Sequence, residues 1–513
     1  MKWFRPFLSV GVIVIFALPF AAARVQSAVI YITPADSYTK IEAAKAGDEV
    51  IIGPGTYAFR LHLTAKASAS NPINIHAQDP NNKPVWDLGA SLVENAPGSY
   101  GAGDRGRGGW QVDGGANYHI SGIVFTGCHT ASQNSAGLRY YNGTTGLHLK
   151  DCVFRNNDNG ISGGSQNSDA TVEYCEFDGN GNLAATSPTH NMYIYGGTFI
   201  LRYCYVHDSL QAQNFHIRAQ SATLEYNWFA RAKSYEGDLM TDGDLSGSGP
   251  FAQSMLLRGN VFLQSTNPDN HSQILVIFND GGLTNETMSM QLINNTCVAN
   301  GIPGNGGNAA FVHLSNADGT QMSAQLFNNL IYGTTRPSLV ENASKGIVSG
   351  ANNWLPVGVS PGPLMGSLFS ASPGFRNAGA KDFSLSPGSA CIGGANQTIQ
   401  GLPIREYYRD ETTAREYRIR TTAMDIGAFE STTTGAGFGP YDAGPAPTLR
   451  VGLSGGNIIF SWPSVGTDFV LDQTTDLNNL WTPVEGPYAT DLSAFQVAIA
   501  PPARTHFYRL RKP

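Results

Sequence analysis

Short β-forming segments separated by turn residues recur along most of the chain, and seven of them share one pattern. They read LKDCVF at 149–154, VEYCEF at 172–177, LRYCYV at 201–206, LEYNWF at 224–229, LRGNVF at 257–262, LINNTCV at 292–298 and LFNNLIY at 326–332. Alignment superposes Cys152, Cys175, Cys204, Asn227, Asn260, Asn295 and Asn329, at intervals of 23, 29, 23, 33, 35 and 34 residues. A loose period of this size without a 3.6-residue apolar repeat predicts a solenoid of β coils. One coil cannot bury its own apolar face, so coils stack and share a core. The expected fold is all-β, a right-handed parallel β-helix over 24–432.

Residues 38–47 (YTKIEAAKAG) are the best helix candidate and would form a short N-terminal cap, with GPGTY at 53–57 a tight turn between strands. Residues 351–432 are expected to be terminal coils and a closing cap. The Gly-, Thr- and Pro-rich stretch 433–448 predicts a linker. Alternation in 449–513 predicts a small C-terminal β-sandwich.

The chain has 513 residues, 59 of them glycine, and only 14% charged residues, a composition that suits a turn-rich β protein. Residues 1–23 combine Lys2 and Arg5, an apolar run and a small-residue stretch, the form of a cleaved export signal. The expected location is secreted, periplasmic or cell-surface, with no membrane span in the mature chain, and the mature protein is expected to be monomeric. Removing Lys2 and Arg5 takes the positive residues from 32 to 30 against 39 negative, a net charge of −9. That balance argues against nucleic acid as a partner. An anionic polysaccharide is not excluded, because a local arginine cluster can oppose the global charge. Six cysteines in an exported chain would ordinarily imply disulfides. Here Cys152, Cys175 and Cys204 occupy one repeat position, which favours a buried thiol ladder continued by the asparagines; Cys128, Cys297 and Cys391 are left open.

Alternation along a strand allows outward rows to be proposed. Taking Leu138, Ile161, Ile194, Ile217 and Leu239 as one inward stack puts Gly137, Gly160, Tyr193, His216 and Asp238 in one outward row. Arg139, Ser162, Tyr195, Arg218 and Met240 then form a second. His190 and Asn191 enter the same region. Outward strand positions need only Thr, Ser or Lys for solubility, so His, Tyr, Arg and Asp gathered on adjacent coils point to chemistry. Gly137 and Gly160 are expected to leave a groove for a sugar ring.

The helix candidate, the GD-x-V-x-I-x-PGTY stretch, NPINI and the strand-final IVF at 123–125 together resemble the start of secreted β-helix polysaccharide lyases of the pectate lyase and chondroitinase B type. That resemblance covers about 100 residues and implies fold more than reaction. SPGF, FSLSPGSACIGGA and DIGAFE resemble the ending of secreted bacterial β-helix proteins. The THN-x-Y motif at 189–193, followed by HIRA at 216–219, resembles a group of exported β-helix proteins, although HIRA stands where many have a Lys-Ser-Arg-Ala run. Residues 449–513 are similar to C-terminal modules of exported bacterial enzymes.

A uronate lyase must neutralise the C5 carboxylate, remove the C5 proton and protonate the leaving O4. Tyr193, His216, Arg218 and His190 are the catalytic candidates. Arg218 with Asn191 would clamp the carboxylate. Arg139, Tyr195 and, in the GDRGRGGW loop, Arg105 and Arg107 are candidates for substrate binding. Asp238, Asp242 and Asp244 offer the oxygen donors that Ca2+ prefers, without EF-hand spacing. The leading expectation is a polysaccharide lyase acting on a uronate polymer by β-elimination. A glycoside hydrolase, which needs two carboxylates, a C5-epimerase and a non-catalytic glycan-binding adhesin are the alternatives.

Overall fold

The computed structural model describes residues 27–64, 66–89, 108–114, 117–131, 133–141, 143–241, 252–267, 275–278, 287–299, 310–315, 321–333, 338–342, 346–407, 411, 415–442, 448–463, 469–477, 481–484, 489–491 and 494–511. The export signal expected at 1–23 and the loop carrying Arg105 and Arg107 lie outside them, as do Asp242 and Asp244.

Among the described residues the solenoid has three parallel sheets, of twelve, ten and twelve strands, to which successive coils contribute in turn. The protein is a parallel β-helix. Each seven-fold repeat marks the corner between two sheets: Leu147–Lys150 belongs to the first and Val153–Arg155 to the third. The residue before each aligned Cys or Asn adopts a left-handed backbone. Asp151, Tyr174, Tyr203, Tyr226, Asn294, Asn328 and Asn352 have φ between 51° and 58°, and Gly259 has 63°. For a residue with a Cβ this conformation costs about 1–2 kcal/mol, and it turns the next side chain into the core.

There the expected ladder forms. The backbone N–H of Cys152 donates to Cys175 Sγ at 3.4 Å, that of Cys175 to Cys204 Sγ at 3.3 Å, and that of Cys204 to Asn227 Oδ1 at 3.0 Å. Asn227, Asn260, Asn295 and Asn329 continue it, each donating both its backbone N–H and its Nδ2 to the Oδ1 of the next rung at 2.9–3.0 Å. Asn353 supplies one more rung than the repeats predicted. All six cysteines are buried and none is in a disulfide, Cys128, Cys297 and Cys391 included. Beside the ladder, Phe125, Phe154 and Phe177 stack with centroids 4.8 Å apart, and Phe229 and Phe262 at 5.1 Å.

The N-terminal helix is shorter than the sequence pattern predicted, Tyr38–Glu42, and puts Ile41 into the solenoid core. Strands reach Leu368–Ser370 in the third sheet. Beyond it the chain runs back along the outside of the coils instead of closing the end. Asn396 meets Asn328, Ile404 meets Tyr226, and Arg415 meets Tyr174, Glu176 and Asp151. This strap reaches into the expected linker, since Phe438 packs on Tyr417 and Tyr441 lies under Lys150. The C-terminal segment forms two antiparallel sheets of four and three strands. Phe460 and Trp462 of one, and Leu471 and Tyr508 of the other, share one apolar cluster. No helix among the described residues is long and apolar enough to cross a membrane.

The ladder yields a stability prediction. Asn260→Ala removes the acceptor of the Asn227 N–H and Nδ2 and the Nδ2 donor to Asn295 Oδ1, which keeps only the backbone N–H of residue 260, all in a fully buried corner. Each orphaned group costs about 1–3 kcal/mol. Urea unfolding is expected to show the loss, whereas reducing agent leaves the midpoint of the unaltered protein where it was.

Candidate active site

The ten-stranded sheet carries a groove of about 540 Å³ on its outer face. Strands Ala136–Tyr141, Asn159–Gly163, Met192–Tyr195, Phe215–Arg218 and Gly237–Met240 lie side by side beneath it. Their register pairs Arg139 with Ser162, Ser162 with Tyr193, Tyr193 with His216 and His216 with Asp238. These five residues form one row.

That row corrects the expected alignment. Ile161 pairs with Met192, two residues before Ile194, so Arg139 joins the row of Tyr193 and His216 instead of that of Tyr195 and Arg218. A two-residue shift preserves which side chains point outward, and the outward set survives. Gly137 and Gly160 do not open the groove. A Cβ on Gly137 would meet Phe125 at 2.9 Å and Phe154 at 3.0 Å, and one on Gly160 would meet Phe177 at 2.9 Å. Both are small because the phenylalanine stack passes behind them.

His216 is the most constrained group in the groove. Its Nδ1 lies 2.8 Å from Asp238 Oδ1, and Arg218 Nε donates to its Nε2 at 2.9 Å. A guanidinium only donates, so the Arg218 contact uses the Nε2 lone pair and leaves Nδ1 on the side of Asp238. Tyr193 stacks on His216 at 4.6 Å and 4°. The Arg218 guanidinium lies 6.0 Å from the Tyr193 ring centre. Tyr235 Oη donates to the other Asp238 oxygen at 3.3 Å. His190, 5.0 Å from His216, is buried, and its pKa is driven well below the ordinary value by desolvation and then by His216. It is a neutral wall of the groove. Tyr195 packs on Tyr141 at 5.9 Å, and burial followed by Tyr141 pushes its pKa up.

Asn191, proposed with Arg218 as a carboxylate clamp, is fully buried and belongs to a second ladder behind the groove. Asn157 donates to Asn180, Asn180 to Asn191, Asn191 to Asn214, and Asn214 Nδ2 to Glu236 Oε2 at 2.7 Å. Of the three aspartates considered for calcium, only Asp238 can be located, and its oxygens face His216 and Tyr235. A different donor group, Glu176, Asp178 and His207, lies on the third sheet. Its members are already engaged, Glu176 by Arg415 at 2.7 Å and His207 by Asp208 at 2.6 Å. Sequence reasoning missed Tyr235, Gln213, Asn134 and Asn159 in the groove lining. All but Asn159 lie in the turns before the strands, where no alternation marks direction.

No family model matches this sequence, and no curated protein sequence matches it. Solved structures do. An alginate lyase from Paenibacillus sp. FPU-7 aligns at 13% identity over 66% of this chain and 99% of its own, with a TM-score of 0.39. The mannuronan C-5 epimerase AlgE4 A-module of Azotobacter vinelandii aligns at 10% identity over 66% of this chain and 94% of its own, with a TM-score of 0.31. The tailspike gp49 of Acinetobacter baumannii bacteriophage Fri1, a capsular polysaccharide depolymerase, aligns at 10% identity over 94% of this chain and 83% of its own, TM-score 0.33. At such scores none assigns an activity, and the chemistry rests on the groove's own residues.

The second ladder carries a pH signature. Burial pushes the Glu236 carboxyl up from 4.5 to about 8, against the Ala232 N–H and Asn214 bonds that favour the anion. The folded protein therefore binds this proton more tightly than the unfolded chain. Its contribution to stability is complete below pH 4.5, declines as pH rises towards about 8, and is lost above that. Thermal unfolding across this range is expected to show a falling midpoint that Glu236→Gln flattens.

Proposed function

We propose that this protein is a polysaccharide lyase that cleaves a uronate-containing polymer by β-elimination in the groove. The observation that carries the reading is His216, set between Asp238 and Arg218 with its Nε2 lone pair directed at a guanidinium. A uronate carboxylate arriving at Arg218 offers the guanidinium a stronger, charge-assisted acceptor than an imidazole. Arg218 then neutralises the carboxylate and releases Nε2. His216 takes the C5 proton, and Asp238 stabilises the imidazolium that forms. Tyr193, stacked on His216, protonates O4 as the C4–O4 bond breaks and the C4–C5 double bond forms. His190 stays neutral and adds no competing charge, and Tyr195 pairs with Arg218 across the two neighbouring strands.

Hydrolysis is less well supported. It requires two carboxylates about 5–9.5 Å apart, and among the described residues Asp238 is the groove's one carboxylate, already engaged by His216 and Tyr235. Export by residues 1–23 belongs to the same proposal, since it would bring the enzyme to extracellular polymers.

Incubation with pectate, alginate and glycosaminoglycans is expected to raise the ultraviolet absorbance of unsaturated uronate on one of them. His216→Ala and Arg218→Ala each lower that rate by roughly 10²–10⁴-fold while the β-rich circular dichroism is retained. New reducing ends without the absorbance would replace the proposal with hydrolysis. Glycan binding without any product would replace it with a binding role.

A further inference from the structure

We propose that Arg139 anchors a second carboxylate subsite, three coils from the reaction centre, and that the groove thereby selects a run of contiguous uronates. The proposal rests on the reading of the groove as a uronate site and specifies which polymer it takes.

Arg139 is 3% exposed and lines the groove. Its Nη1 donates to Asn134 O at 2.7 Å, its Nη2 donates to Tyr141 Oη, and the guanidinium lies 5.1 Å from the Tyr141 ring centre. These contacts aim the fork without neutralising it. Nε is buried with no hydrogen-bond partner, and no carboxylate pairs with Arg139 among the described residues. Buried Arg420, by contrast, pairs with Glu430, and the partly buried Arg202, Arg258 and Arg415 pair with Glu173, Glu225, and Asp151 and Glu176. A buried guanidinium without an anion carries a desolvation cost that the Asn134 carbonyl, the Tyr141 hydroxyl and the Tyr141 ring offset only in part. An anion supplied by the ligand offsets it.

The register gives the distance. From Arg139 the row steps to Ser162, Tyr193 and His216, and Arg218 lies on the last of these strands. Three coils at ~4.8 Å separate the two arginines by ~14 Å along the axis. On this proposal a 1,4-linked chain advances one sugar residue per coil along this row. A chain lying along the groove with one carboxylate at Arg218 therefore brings its third neighbour to Arg139. In a homouronan that neighbour carries a carboxylate. In a polymer that alternates uronate with amino sugar it does not, because carboxylates then recur only at even offsets. Ser162, between the two arginines, keeps the groove floor low enough for the intervening rings.

Calorimetric titration with size-defined oligogalacturonates and oligomannuronates, from dimer to hexamer, tests this without depending on turnover. Affinity for at least one series is expected to step up by roughly 10- to 100-fold at the length that first reaches Arg139. Arg139→Gln abolishes the step, and Arg139→Lys, which keeps the charge and guards against misfolding as the explanation, restores part of it. Hyaluronan oligosaccharides, with a carboxylate on every second residue and no sulfate, show no step. An unaltered step in Arg139→Gln, or an equal step with hyaluronan, overturns the proposal. A step without unsaturated product would retain the subsite and remove the lyase reading. Absence of binding to every uronate oligomer would remove both.

Discussion

The corner ladder is the constraint on which the remainder of the protein depends. A parallel coil needs its chain to turn at the same place on every layer, and that turn is made by a left-handed residue such as Tyr203 or Asn328. The conformation is unfavourable by itself. It persists because the next residue, Cys or Asn, is then directed inward, where it accepts the backbone N–H of the adjoining coil. Asparagine also donates along the axis, so the lower coils are tied twice per layer where the cysteine coils are tied once. With the corners locked, the phenylalanine stack and the three sheets follow at one coil spacing.

The same periodicity serves opposite ends on two faces. On the first sheet the register aligns Lys150, Glu173, Arg202, Glu225 and Arg258, signs alternating from coil to coil. The C-terminal strap lies beside this row, with Tyr417 on Tyr174 and Tyr203. Charge there is spent within the protein. On the groove face the row of Arg139, Ser162, Tyr193, His216 and Asp238 does not alternate, and Asp238 there faces the His216 imidazole at 2.8 Å.

Behind the groove, the second ladder shows how an irregular loop can be absorbed. Residues 181–190 leave the coil, and Asn191 re-enters to fill a rung between Asn180 and Asn214. The excursion brings His190 to the groove wall and Asn191 into the core, side by side in sequence and opposite in environment. It also moves the strand pairing by two residues, which is why Arg139 shares a row with Tyr193 and His216.

What the sequence by itself determined was everything that repeats: the coil period, the positions of the ladder residues, the inward–outward parity of the strands and the separate C-terminal β unit. These are local consequences of alternation and corner chemistry, and they do not depend on how many residues each connecting loop contains. The outward placement of Tyr193, His216, Arg218 and Asp238 was legible for the same reason. What only the tertiary structure decided was everything that depends on matching one coil with the next. That includes the burial of Asn191, the packing role of Gly137 and Gly160, the return of the strap and the engagement of Asp238 by His216. The pairing of strands across a loop is fixed by the stacking of whole side-chain columns, an interaction between residues far apart in the chain, and no short stretch of sequence records it.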